Sequence, residues 1–198
     1  MKNVFLIIGG LFFLNSCQFN EKEKEKNTYE IISLLIDKAG RPIKPPPPPE
    51  GQEPFFTTNQ IDSIMKQSQD VALFPVLEQE KKRFVKDDSY GEEFNNLLKK
   101  LATLNDEVLI DISKIEVPKA FKLDIVDTLL LKSDKRHINK NYDILIYFSN
   151  ISFSDNYTKA VLSIGTTRGY LNGSSAIVFL EKKDGVWKIV YSKEYEIS

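Results

Sequence analysis

The last quarter of the chain alternates apolar and polar residues with a period of two, and this pattern constrains the fold more than any other feature. Such alternation over several consecutive segments is typical of antiparallel strands with one face on a core. The Asp184-Gly185 dipeptide suits the positive φ angles of a type I′ hairpin, and Asp155-Asn156 marks an earlier reversal. We therefore predict four antiparallel strands, over Asp143 to Phe153, Tyr157 to Thr167, Ser175 to Lys182 and Val186 to Tyr195.

The loop at Asp184 and Gly185 also predicts the register of the last hairpin, since a two-residue loop leaves one way to count the pairs. The face expected to be core pairs Leu180 with Ile189, Val178 with Tyr191 and Lys182 with Trp187. The opposite face pairs Glu181 with Lys188 and Phe179 with Val190. Ile177 and Phe179 on that second face imply that it is partly covered as well.

Helical periodicity predominates in the first half of the chain. The strongest apolar stripe predicts an amphipathic helix from Tyr90 to near Asn105. A shorter helix is expected from Asn27 to Gly40, where Asn27 and Glu30 have capping-box spacing, and another is expected to begin at Asn59. Two short strands are expected at Val71 to Phe74 and at Val108 to Ile112.

These elements predict an α+β fold in which two or three N-terminal helices pack on a mainly C-terminal antiparallel sheet of four or five strands. Residues 28–198 are long enough for a single domain. Within it, Pro45 to Pro49 require a polyproline II segment, which predicts a stiff surface loop over residues 42–54, with a docking ligand for an aromatic groove as the alternative. Residues 78–88 fit a helix or a loop, and irregular connections are expected from Pro118 to Asp134.

The amino terminus has the features of a secretory signal, with Lys2, an apolar run from Val4 to Leu14, and a small residue before Cys17. The run is too short to cross a bilayer, which takes about 20 residues. Leu14-Asn15-Ser16-Cys17 resembles the lipobox of bacterial lipoproteins. That resemblance implies removal of residues 1–16, diacylation of the Cys17 thiol and acylation of the new amino terminus. The mature protein would then be anchored by lipid in the outer membrane of the cell envelope. It could lie on either the periplasmic or the outer surface of that membrane.

Residues 17–27 follow the anchor point and contain an alternating run of glutamate and lysine, Glu21 to Lys26. The run has no apolar residue to bury and balances its own charge, so we expect a solvated tether. Charged tags after the lipidated cysteine act as surface-export signals in some Bacteroidetes, and resemblance to these tags gives an alternative role for the segment.

The C-terminal meander resembles that of a protein family. The segments that carry the likeness are Ile151 to Leu162, Gly173-Ser174 and Leu180 to Ile189, which closes on Gly185-Val186-Trp187-Lys188-Ile189. They resemble the closing meander of small Bacteroidetes lipoproteins with no assigned activity. A similar closing hairpin also ends unrelated domains, including cone-shaped α+β folds. Those lipoproteins often have cysteines in the loop between the second and third strands, whereas residues 166–173 of this chain contain none. This chain departs from the family there, so a function that depends on a disulfide-stapled loop does not carry over.

Composition argues against several classes of function. The 27 basic and 28 acidic residues leave a net charge of −1, which provides no basic face for a nucleic acid. The one histidine, His137, lies among basic residues, where a solvated loop residue is expected and a catalytic base is not. With Cys17 acylated, no thiol remains for a zinc site or a disulfide, and we expect no metal and no cofactor.

Few residues are candidates for a functional site. Arg168 and Tyr170 are predicted ligand contacts because arginine and aromatic side chains on loops often anchor partners. No catalytic residue is predicted. The glycines at 165, 169 and 173 precede a strand and no helix, which argues against a phosphate loop. Glycoside hydrolysis needs two carboxylates that face each other across a cleft, and the chain offers four scattered candidates: Asp111, Glu116, Asp124 and Asp127.

We therefore expect a lipid-anchored envelope protein that binds or supports a partner and has no chemistry of its own. The expected partners are the membrane, through Cys17, and a glycan, a peptide or an envelope protein. One alternative is a hydrolase of envelope material or polysaccharide that uses paired carboxylates. Another is a small-ligand-binding or inhibitor domain with a concave sheet.

Overall fold

The computed structural model describes residues 4–81, 84, 87–134, 137–169 and 172–197, with residues 4–19 described as backbone only. Its helices are α1 (Val4–Ala39), α2 (Thr58–Met65), α3 (Gly91–Leu101), α4 (Thr128–Ser133) and α5 (His137–Asn141). Its strands are β1 (Gln69–Glu78), β2 (Val108–Leu109), β3 (Phe121–Ile125), β4 (Ile144–Ser149), β5 (Ser152–Phe153), β6 (Lys159–Thr167), β7 (Gly173–Lys183) and β8 (Val186–Ile197). The predicted α+β class is confirmed.

A single mixed sheet contains the eight described strands. Their order is β2-β1-β4-β6-β7-β8, with β3 beside β1 and β5 beside β6. Strand β1 pairs in parallel with β3 and with β4, whereas the remaining pairs are antiparallel. The sheet is therefore mostly antiparallel, as predicted, but it has more strands than the four or five expected.

Strand β3 and helix α4 lie where irregular connections were predicted, and that prediction is wrong. β3 alternates three half-buried apolar residues with two exposed charged ones, which is the period of a strand that faces a core on one side. Its partner is β1, with Gln69 opposite Phe121, so the strand gains its hydrogen bonds from a distant part of the chain.

Helix α1 is longer than the helix predicted to begin at Asn27. Residues 18–26, expected to be a solvated tether, are helical and continuous with it. Glutamate and lysine both favour helices, and the alternating run places opposite charges three residues apart. Residues 20–22 and 24–26 are exposed within this helix, whereas Asn27, the last residue of the predicted tether, is buried. The helix ends at Ala39, before Gly40, where the sequence predicted a stop.

The other predicted elements of the first half are present. Helix α2 begins one residue before the predicted start at Asn59, and a capping box between Thr57 and Gln60 opens it. Helix α3 lies within the predicted range from Tyr90 to Asn105, and Leu97, Leu98 and Leu101 are buried. The buried strand predicted from Val71 to Phe74 is the centre of β1, and the strand predicted from Val108 is β2.

The last hairpin turns as predicted, with φ angles of 54° at Asp184 and 78° at Gly185. Three predicted pairs are confirmed: Leu180 with Ile189, Glu181 with Lys188, and Lys182 with Trp187. A bulge follows, and Phe179 pairs with Tyr191 while Val178 pairs with Ser192. The predicted pairs of Phe179 with Val190 and of Val178 with Tyr191 are therefore wrong, because Val190 is the extra residue of the bulge.

Helices cover both faces of the sheet. On one face, α1 buries four side chains against the strands, and the β7–β8 pair contributes Val178, Leu180 and Trp187 to the same cluster. In the part of α1 whose side chains are described, the buried apolar ones are Ile31, Ile32, Leu35 and Ile36. On the other face, α3 packs over Ile177 and Phe179, which confirms the predicted cover of that face. Ile138 of α5 packs there with Val126, Ala72 and Leu145 in a separate cluster.

Candidate functional site

A buried polar cluster, which we call the Asn27 cluster, attaches α1 to the β7–β8 hairpin. Asn27 is 0% exposed, and its Oδ1 accepts hydrogen bonds from Lys182 Nζ at 2.8 Å and from Trp187 Nε1 at 3.0 Å. Its Nδ2 donates to the carbonyl of Glu23 at 2.7 Å. Lys182 Nζ also bonds Glu30 Oε2 at 3.0 Å. Because both polar atoms of the Asn27 side chain are bonded, the cluster fixes α1 over one end of the sheet.

Beside this part of α1 is a cleft of about 680 Å³, which we call the α1 cleft. It lies between α1 and the segment that contains β2, and its volume is in the range of small-molecule sites. Its floor is apolar and consists of Ile32, Leu77, Ile110, Ile151 and Phe153. Its rim carries charges of both signs, from Glu21, Lys24, Glu25, Asp106 and Lys114. The cleft can therefore accept an apolar group attached to a polar molecule.

Charged and aromatic side chains connect the two walls of the α1 cleft. Lys114 Nζ lies 2.6 Å from Glu25 Oε1 on the helix and 3.4 Å from Asp111 Oδ2 on the loop. The same ammonium lies 5.5 Å from the centre of the Tyr29 ring, within reach of a cation–π contact. Tyr29 OH accepts a hydrogen bond from the backbone N–H of Asp111 at 2.9 Å. The loop after β2 is thus attached to α1 at the edge of the cleft.

The pKa shifts in this group have local causes. Hydrogen bonds from the Ser113 hydroxyl and backbone N–H lower the pKa of the Asp111 carboxyl, and Lys114 lowers it further. The hydrogen bond to Glu25, and then that to Asp111, raises the pKa of Lys114. Each shift favours the charged form, so both groups are ionised near neutral pH.

A second cleft, of about 690 Å³, adjoins the α1 cleft, and Lys22, Glu25, Tyr29 and Lys114 line both. It is lined by Glu30, Ser33 and Leu34 of the helix and by Val186 and Trp187 of the last hairpin. The Ser33 hydroxyl accepts a hydrogen bond from the backbone N–H of Glu116 at 2.9 Å. Two adjoining clefts therefore line α1 between Glu21 and Leu34.

The carboxylates considered for hydrolysis have different positions and partners. Asp111 lies in the α1 cleft, together with Glu25, which the sequence did not single out. Asp127 Oδ1 accepts the N–H groups of Leu129 and Leu130 as the N-cap of α4, and Asp124 Oδ1 accepts that of Ile125. In the described part of the chain, no group of three or more His, Cys, Asp or Glu side chains could hold a metal ion.

The predicted ligand contact Arg168 lies far from the α1 cleft, at the carboxyl end of α1. Its guanidinium donates to the carbonyl oxygens of Ala39 at 2.6 Å and Arg41 at 2.7 Å. It therefore satisfies carbonyl groups at the end of the helix, where a cation is favourable. Tyr170, its predicted companion, lies outside the described residues, as do the side chains of Cys17 and His137. Ligand contact by the Arg168 loop stays a prediction.

Little in the amino-acid sequence indicates the α1 cleft. The cleft brings Tyr29 of the helix together with Ile110 and Lys114, which lie more than 80 residues later in the chain. Neither segment has a motif that predicts the contact. The only available signal was Tyr29, which precedes Ile32 by one helical turn and continues the buried stripe of α1.

The chain matches no known family model, no curated protein and no solved structure. Among the residues that the structure describes, no helix is both long and apolar enough to cross a membrane.

Proposed function

We propose that this is a lipid-anchored protein of the cell envelope that binds a partner molecule in the α1 cleft. The observation that carries the binding role is the apolar floor of the cleft within a rim of charged side chains. Buried apolar surface supplies affinity in such sites, and the polar rim orients the ligand. A peptide segment of another envelope protein, with an apolar side chain on the floor and charged groups at the rim, fits this chemistry best.

The anchoring role rests on the lipobox resemblance and predicts the fate of Cys17. We expect the processed wild-type chain to carry acyl groups on Cys17 and to fractionate with membranes. Cys17→Ala should remove the acyl mass and abolish processing or membrane retention, whereas Ser16→Ala, which keeps a small residue before the cysteine, should behave as wild type. Intact mass and membrane fractionation measure both effects. An unmodified Cys17 in the membrane fraction would contradict the proposal.

The binding role predicts a stabilisation by ligand that depends on the cleft wall. A peptide at 100 times its dissociation constant should stabilise the fold by about 2.7 kcal/mol. Leu109 lines the cleft and is 76% exposed, so Leu109→Glu should weaken binding without unfolding the chain. Ile197, 77% exposed, lies at the far end of β8, and Ile197→Glu is the matched control.

Thermal-shift measurements on the soluble mature chain, with short apolar peptides and envelope glycan fragments as probes, test this prediction. The expected result is a rise in Tm with at least one peptide that Leu109→Glu reduces and Ile197→Glu does not. A screen in which no peptide raises Tm, or an equal shift in both variants, would count against the α1 cleft as the binding site.

The hydrolase alternative stays a prediction with weaker support. Glu25 and Asp111 share the Lys114 ammonium within one cleft, but a catalytic acid needs a raised pKa. The pKa of Asp111 is lowered. Helices pack on both faces of the sheet, and this argues against the alternative of a ligand-binding domain with a concave sheet.

A further inference from the structure

The continuity of α1 leaves no free spacer between Cys17 and the domain. An α-helix rises about 1.5 Å per residue, so the backbones of Cys17 and Asn20 are only about 5 Å apart along the axis. Asn20 already contacts the domain, because Tyr157 OH donates to its Oδ1 at 2.9 Å. A lipid attached to Cys17 would therefore hold the domain close to the bilayer and with one end towards it.

The end of the domain nearest Cys17 is defined by the segments around Asn20 and the next turn of α1. These segments are the turn after β5 with Tyr157, the β7–β8 hairpin with Val186, and the loop before β2. We call this the anchor end. The Arg168 loop, Ile43 and the carboxyl end of α1 line a separate cleft, at the opposite end of the same helix.

Exposed apolar side chains are present at the anchor end. Leu109 is 76% exposed and Val186 is 60% exposed, and they line the α1 cleft and the second cleft respectively. Lys22 and Lys26 of the helix are exposed as well. Apolar side chains with neighbouring lysines are suited to the boundary between headgroups and acyl chains.

We propose that the anchor end lies on the bilayer surface, with Leu109 and Val186 in the interfacial region. The partner is the lipid surface itself, since attachment through Cys17 places it next to these residues. The inference rests on the acylation of Cys17 in the proposed function. It adds an orientation, in which both clefts beside α1 open near the membrane and would receive ligands that are themselves at its surface.

Hydrogen exchange on vesicles tests this orientation. The mature chain, residues 17–198, contains every described side-chain contact, and Cys17 is its only thiol. It can therefore be coupled at that one site to phosphatidylcholine–phosphatidylglycerol vesicles that contain a maleimide lipid. Coupling should slow amide exchange several-fold at residues 104–109 and 184–187, and leave residues 40–44 unchanged. Equal exchange at both ends, before and after coupling, would overturn the proposal.

Paired variants show whether the apolar side chains make the contact. The double variant Leu109→Ser with Val186→Ser should lose the protection at the anchor end. The control is Ile197→Ser with Ile43→Ser, whose 77% and 63% exposures match, and it should retain the protection. Retention in both double variants would also overturn the proposal. Chemical coupling does not need cellular acylation, so these outcomes are independent of the Cys17→Ala test of the proposed function.

Discussion

Replacing Asn27 by leucine is expected to lower the free energy of unfolding by about 3 kcal/mol, because the change leaves buried donors without an acceptor. Trp187 Nε1 would lose the Asn27 Oδ1 to which it donates. Lys182 would lose one acceptor and keep Glu30. Leucine branches at Cγ as asparagine does and is larger, so the substitution leaves no cavity and the cost comes mainly from the lost hydrogen bonds. Urea denaturation of the mature chain measures the difference.

Two comparisons separate this effect from a general effect of the substitution. Lys26→Leu introduces leucine one position earlier at an exposed site and should change stability by no more than about 0.5 kcal/mol. In a Trp187→Phe background, which has no indole N–H, Asn27→Leu should cost less than in the wild type, with a coupling energy of about 1 kcal/mol or more. An equal cost in both backgrounds would show that the Trp187 hydrogen bond does not carry the effect.

The C-terminal meander was the part of the fold that the sequence could predict best. Its hydrogen bonds join neighbouring strands, so local alternation and the Asp184-Gly185 turn contain most of the information. The prediction of the register failed at Val190, where the bulge inserts a residue. A pattern of alternating apolar and polar residues does not show where a bulge lies. Val190 and Tyr191 are adjacent, and both are partly exposed, so neither stands out as the residue that faces the core.

Parallel pairing and the α1 cleft could not be predicted, for a related reason. The pairs of β1 with β3 and β4 join segments distant in sequence, and no turn between them sets the register. The cleft likewise combines α1, the end of β1 and the loop around β2. Lys114 and Glu25 are ordinary surface residues in the sequence, and only the fold brings them within 2.6 Å of each other.

Gly165 lies within β6, inside the strand predicted from Tyr157 to Thr167, and it is opposite Tyr147 of β4. The Tyr147 ring covers it, and a Cβ at this position would overlap the ring atoms Cζ and Cε2. The ring is also held by a hydrogen bond of 3.1 Å between Tyr147 OH and Ser175 Oγ. Gly165→Ala is therefore expected to destabilise the protein by about 2 kcal/mol, the usual cost of overpacking.

A double-mutant cycle identifies the ring as the cause. In a Tyr147→Ala background the space over Gly165 is open, so Gly165→Ala should be neutral or stabilising by about 0.5 kcal/mol, since alanine suits a strand better than glycine does. In a Tyr147→Phe background the ring remains without its hydroxyl, and most of the cost should persist. Chemical denaturation of the three single variants, the two double variants and the wild type measures these differences. A cost of Gly165→Ala that is the same with and without the ring would mean that strand β6 needs glycine for its backbone and not for the aromatic contact.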